Sequence, residues 1–270
     1  MKKEELNCWA ILCFGSTVLN FMISQQKVII FPRDRILHTA LSFAIWMAVI
    51  YLTEKTDFRQ GCLKYVTVCF LILRTMIIVY NFAGYFSVYY GSNTVVILVL
   101  TAALILLSSG FGAGRIRQMY IITLLFNAAM LFMIFAVNIG NLNILNLYSN
   151  STQIVFSWSK LYMFFDVITL AVIIKEKNKR LYVQKRYMIC SLCFIVSVTL
   201  LQGLCIKGNM MYSITPLQSL FQIYSGNTIK RIDYYLAIVQ SVNYFVTVVL
   251  YIATIKTALN LKKEMENEDN

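Results

Sequence analysis

Long uncharged apolar runs recur along the chain, separated by short polar stretches, and this pattern predicts helices that cross a membrane. One run begins just after Lys230, Arg231 and Asp233 and continues over residues 234–255 without a charged side chain. At ~1.5 Å of rise per residue it is long enough for a hydrocarbon core ~30 Å thick. Comparable runs occupy residues 6–23, 36–52, 65–86, 94–108, 119–137, 154–174 and 187–206. The pattern therefore predicts about eight crossings. The apolar residues are continuous rather than alternating, which excludes a β-barrel. The expected fold class is all-α, a polytopic membrane helix bundle. Residues 1–261 form its single transmembrane domain, and residues 262–270 a polar cytoplasmic tail that frays into solvent.

Composition agrees with that reading. Of the 270 residues, 59% are hydrophobic, 14% aromatic and only 13% charged. A soluble domain carries about 25% charged residues, so this chain cannot cover its surface in water. The net charge of +12 would suggest nucleic acid in a soluble protein. Here it points to the bilayer, because most basic residues lie in short connections, where positive charge sets membrane topology. Lys55, Arg59 and Lys64, then Arg115 and Arg117, then the cluster over 175–186 fall on one side, while the connections at 89–93 and 138–152 have no Lys or Arg. Lys27, Arg33, Arg35, Lys160, Lys207, Lys230 and Arg231 count against that bias. On balance both termini are expected in the cytoplasm. The N-terminus has a basic start and an apolar run, as a signal peptide does, but no small-residue cleavage site, and it reads as the first span.

Little suggests metal, redox or enzyme chemistry. Of the seven cysteines, Cys190 and Cys193 form a CxxC inside an apolar run, where small core residues explain them better than metal or redox work. His38 is the only histidine, so neither a proton relay nor a metal site is expected. Asn150-Ser151-Thr152 fits the glycosylation pattern but is short. No Walker loop, dinucleotide fingerprint, HExxH or nucleophile elbow occurs. The expectation is a non-enzyme with no cofactor.

Candidate binding residues are those that disturb the apolar runs. Gly15, Ser16 and Thr17 lie inside the first run. They serve close helix packing, or they mark a local unwinding whose freed backbone groups bind a solute. Phe156, Ser157, Trp158 and Ser159 open the sixth run, either as an interfacial anchor with capping serines or as the counterpart of that break. Arg74 and Asp166 are the charges deepest within runs. Each is expensive in lipid and marks either a structural ion pair or a ligand contact.

Three stretches together resemble one family. The sequence GFGAGRIRQMYIITLLF, with Gly110 or Gly114 and Arg115 or Arg117, is similar to the Gly–Arg signature between the fourth and fifth helices of spore germination receptor B subunits. The turn Ser225-Gly226-Asn227 followed by Arg231-Ile232-Asp233 resembles that family's eighth helix, although Gln240 stands where the family often has Trp. The opening helix is similar as well, with Gly15 and Thr17 on its Gly-Thr pair. The resemblance implies a member of the amino acid–polyamine–organocation permease superfamily, with about ten helices in two inverted repeats. The chain ends soon after its eighth run, which reads as a truncated form of that fold. Implied too is an integral membrane subunit of a nutrient germinant receptor, in the spore inner membrane or cell membrane. It would bind a small nutrient such as an amino acid and act with an A subunit and a C subunit. The ligand would contact Gly15, Ser16, Thr17 and Phe156 to Ser159. An amino acid permease is the alternative.

Overall fold

The computed structural model describes residues 3–24, 32–53, 61–91, 93–108, 110–111, 113–147, 177–205 and 230–268, and these form seven α-helices and two short 3₁₀ turns. The helices are α1 (Lys3–Ser24), α2 (Pro32–Thr53), α3 (Gly61–Tyr90), α4 (Thr94–Ser108), α5 (Ala113–Asn138), α6 (Lys177–Cys205) and α7 (Lys230–Glu268). Four contain stretches long and apolar enough to cross a membrane: Cys62–Gly84, Gly114–Ala136, Lys185–Cys205 and Tyr235–Leu259. Shorter apolar stretches lie in α1, α2 and α4. The chain is a helical membrane protein. The sixth expected span, 154–174, lies outside the described residues.

Local chemistry sets several helix ends. Pro32 occupies the first position of α2, where its fixed φ and missing N–H cost nothing. Gly91, with φ of 63°, ends α3 in the left-handed region. Asn93 then caps α4: its Oδ1 accepts the Val95 N–H at 2.9 Å. Two expected polar stretches prove helical. The basic stretch 175–186 joins α6 from Lys177, and the tail joins α7 as far as Glu268. The first is rich in Lys and Arg and the second in Lys and Glu, and neither contains glycine or proline, so helix propensity prevails over their charge.

The core is organised around α7. It packs on α1, α3, α4 and α5. Of its span 67% is buried within the protein, against 17% of the α3 span. Val68 meets Ala258, and the Phe82 and Tyr244 rings lie tilted against each other with centroids 5.8 Å apart, so α3 and α7 run antiparallel. Outward on α3, Leu73, Met76, Ile77 and Tyr80 are exposed, a face suited to lipid and costly in water. Along α1, α5 and α6 the contacts rise together, so these three helices run parallel. The chain after α5 closes over the end of α6: the Asn143 N–H and the Asn146 side-chain amide both donate to the Leu204 carbonyl, at 3.0 and 2.8 Å. That carbonyl is one the helix cannot pair itself.

Buried polar groups are largely satisfied in pairs or by their own helix. Ser42, Thr101, Thr123, Thr199, Thr247 and Thr254 each donate to the carbonyl four residues earlier. One amide pair instead ties two helices together. Asn127 of α5 donates to Asn243 of α7 at 2.7 Å, and Asn243 donates back at 3.0 Å, while its second N–H reaches the Gln240 Oε1. Both asparagines are fully buried. Asn127→Leu is expected to cost about 1–2 kcal/mol, because it strands the Asn243 amide in an apolar interior. The double change Asn127→Leu/Asn243→Leu should cost less than the two singles added, as read by thermal unfolding in detergent. Strict additivity would mean that the two amides are not coupled.

Candidate functional site

The charge that stands out among the described spans is Arg74, near the middle of the α3 apolar stretch. An arginine at that depth costs ~3 kcal/mol even on insertion-based scales. It is half-buried, and its Nη2 donates across the bundle to the Oδ1 of Asn20 on α1, at 3.4 Å. Asn20 is fully buried. One turn earlier on α1, Ser16 and Thr17 are buried as well, and Ser16 shares the face of Asn20 by its i, i+4 spacing.

The third wall of this seam is α7. Leu71 and Ile78, one turn either side of Arg74, share an apolar cluster with Ile23 of α1 and with Tyr244, Val248 and Tyr251 of α7. The antiparallel register fixed at Val68–Ala258 and Phe82–Tyr244 sets Tyr251 level with Arg74. Tyr251 is completely buried, and its hydroxyl has no hydrogen-bond partner among the described residues. A buried donor left unpaired carries a desolvation penalty of ~1–3 kcal/mol. A guanidinium can grip a carboxylate through two parallel N–H donors. With Arg74 and the phenol of Tyr251 at one depth, the seam offers charge and hydrogen-bond donors to an anion in a low-dielectric setting. Tyr251→Phe removes the unpaired hydroxyl, so it is expected to leave stability unchanged or raise it by about 1 kcal/mol. Thermal unfolding checks this, and a clear loss of stability would show the hydroxyl to be bonded.

The three residues of the Gly15-Ser16-Thr17 run part ways. The helix α1 continues through them without a break, so of the two readings offered for the run it is packing, not unwinding, that the helix follows, and their backbone groups stay in the helical ladder. Gly15 faces α5. A Cβ there would lie 2.6 Å from Cδ1 of Tyr120 and 3.3 Å from Cδ1 of Leu124. Ser16 turns instead toward the Asn20 side, as ~100° per residue requires. The glycine is thus a packing contact between α1 and α5.

Of the other expected residues, those that the structure describes lie away from the seam. Arg115 is exposed in the first turn of α5, its guanidinium carbon 5.8 Å from the Phe111 ring centroid, a cation–π contact. Arg231 and Asp233 belong to the first turn of α7. Phe156, Ser157, Trp158, Ser159 and Asp166 lie outside the described residues. His38 is buried, with Nδ1 2.6 Å from the Asp34 carbonyl oxygen, which it meets as donor in the Nδ1–H tautomer. Cys190 and Cys193 are exposed on α6 rather than in the core, because three residues of spacing keeps both on the outward face. Among the described residues no group of three or more His, Cys, Asp and Glu side chains gathers as a metal site would require. Comparison with protein-family models, with curated proteins and with solved structures yields no match.

Proposed function

We propose that this chain is an integral membrane subunit that recognises a small carboxylate-bearing nutrient, such as an amino acid, and reports its presence rather than transforming it. The observation that carries the reading is Arg74. A guanidinium near the middle of a lipid-facing helix, steadied by Asn20 and level with the buried phenol of Tyr251, has the charge and donors that a carboxylate needs. The resemblance of Arg231-Ile232-Asp233 and of the Gly–Arg connection to germination receptor B subunits supports a spore nutrient germinant receptor as its setting, with A and C subunits as partners in the spore inner membrane. Eight crossings with both termini cytoplasmic suit the helix directions. With α5 and α6 parallel, Asn146 meets Leu204 at one end of the bundle, and Lys177, ~40 Å away along α6, stands toward the other end.

The unbroken course of α1 favours sensing over the alternative of an amino acid permease, since the broken-helix cradle of inverted-repeat transporters is absent there. Proteoliposomes carrying the purified protein separate the two. A sensor binds one or more labelled L-amino acids without time-dependent accumulation in the lumen, and accumulation would assign a permease. Co-purification with the A and C subunits, when the three are co-expressed, tests the receptor setting. An isolated chain in every preparation would count against it.

A further inference from the structure

Two thiols on α6 take no part in the seam. Cys190 and Cys193 are both free and both exposed, and they lie within the apolar stretch Lys185–Cys205. On a regular helix their spacing puts them ~60° apart around the axis, with Cα atoms ~5 Å apart. That separation falls inside the range of about 4.4–6.8 Å that disulfides span. Their Cβ atoms, ~5–6 Å apart on a helix, exceed the ~3.5–4.5 Å of a disulfide, so closing the bond must tighten this one turn by ~1–2 Å. Local chemistry favours such a change. Ser191, between the two cysteines, donates its hydroxyl to the Tyr187 carbonyl at 2.7 Å, and back-bonding of this kind competes with the main-chain ladder and bends helices. The inner face of the same turn is held fast. Leu192 and Ile195 pack into the core, and Phe194 meets Phe14 of α1 edge-on with ring centroids 6.0 Å apart. Strain from a bridge would therefore stay in the turn that carries it.

We propose that Cys190 and Cys193 are a reversible redox pair that exchanges two electrons with a lipid-soluble quinone. In the forward step both S–H bonds break and one S–S bond forms. The two electrons and two protons pass to the quinone and reduce it to the hydroquinone. The surroundings select this reaction. The thiols face the hydrocarbon, which charged water-soluble oxidants enter only at high cost, whereas a quinone dissolves there. A metal bridge would need both sulfurs deprotonated and would hold their charge in lipid, while the dithiol and the disulfide are each neutral. A strained bridge is also of the labile, readily reduced kind, so the step runs both ways. The pair is separate from the Arg74 seam and does not depend on the nutrient reading.

The test uses the full chain in phosphatidylcholine vesicles, incubated with decylubiquinone, whose substituted ring resists thiol addition, or with decylubiquinol. The protein is then unfolded in detergent with N-ethylmaleimide, and its peptides are weighed by mass spectrometry. After the quinone, the segment holding Cys190 and Cys193 is expected to lack two hydrogens and both maleimides, at least about ten-fold more often than after the quinol. Transfer of the oxidised vesicles to quinol should restore the two thiols. Cys62 and Cys69 are exposed on α3 but seven residues apart, too far to bridge, and should take maleimide throughout. In Cys193→Ser, Cys190 should take maleimide after either treatment. Equal labelling of the pair after quinone and quinol would overturn the proposal. So would protection of Cys190 that persists in Cys193→Ser, which would assign a quinone adduct or a bond between two chains.

Discussion

Gly15→Leu is expected to abolish recovery of a monodisperse folded protein. The first carbon of any side chain at this position already meets the Tyr120 ring at 2.6 Å. That ring is fully buried among Leu12, Leu19, Val246 and Leu250, so it has no free space into which to turn. Overpacking by far smaller groups costs ~1–3 kcal/mol, and leucine would force α1 away from α5 altogether. Because α1 also packs on α6 and α7, the displacement would open three interfaces together. Gly15→Ala should fold but lose ~1–3 kcal/mol, and Tyr120→Leu in the same chain should recover part of that loss. Size-exclusion profiles and thermal unfolding of the three variants measure this. A well-folded Gly15→Leu protein would show that α1 and α5 are not in close contact.

Arg74→Gln is expected to lower affinity for a carboxylate-bearing solute by at least ten-fold while the protein remains folded. The loss follows from removing the charge in a low-dielectric seam, where a charge-assisted hydrogen bond contributes ~1.5–3 kcal/mol. Folding should survive, because glutamine still offers an N–H donor toward Asn20 and is cheaper than arginine to hold in lipid. Arg74→Lys should fall between the two, since an ammonium keeps the charge but loses the planar fork. Tyr251→Phe should weaken the same binding several-fold despite its neutral or favourable effect on stability. Equilibrium binding to purified variants, with unfolding curves as a control, separates lost affinity from lost structure.

Much of the architecture was legible in the apolar runs, because a helix in lipid must satisfy its backbone internally and so announces itself by length. The run 94–108 coincides with α4, and 36–52 falls inside α2. The basic stretch after 175 misled because charge was read as a loop signal, although its residues are good helix formers. Arg74 was visible as a charge inside an apolar run, but its partner was not. Asn20 lies 54 positions earlier, and only the folded bundle brings the two together. The signal that existed was local: Asn20 follows Ser16 by four residues, which places a polar stripe on one face of an apolar helix. Asn127 and Asn243 carried a comparable hint, as amides well inside mainly apolar spans, but their pairing spans 116 positions. Tyr251 gave no hint, since a tyrosine in an apolar run is usually an interfacial or packing residue and only the burial of its hydroxyl distinguishes it. The glycine of the Gly15-Ser16-Thr17 run suited packing and unwinding equally well until Tyr120 was seen against it.

The recognition of a carboxylate at Arg74 is tested most directly by thermal unfolding of the purified protein with each L-amino acid and with its carboxamide. A ligand present at ~100 times its dissociation constant stabilises the folded state by ~2.7 kcal/mol. The expected result is that at least one amino acid raises the midpoint by several degrees, that its amide does not, and that the shift disappears in Arg74→Gln. An amide that stabilises as well as the acid, or a shift that persists without Arg74, would contradict the account, as would a protein that responds to none of them.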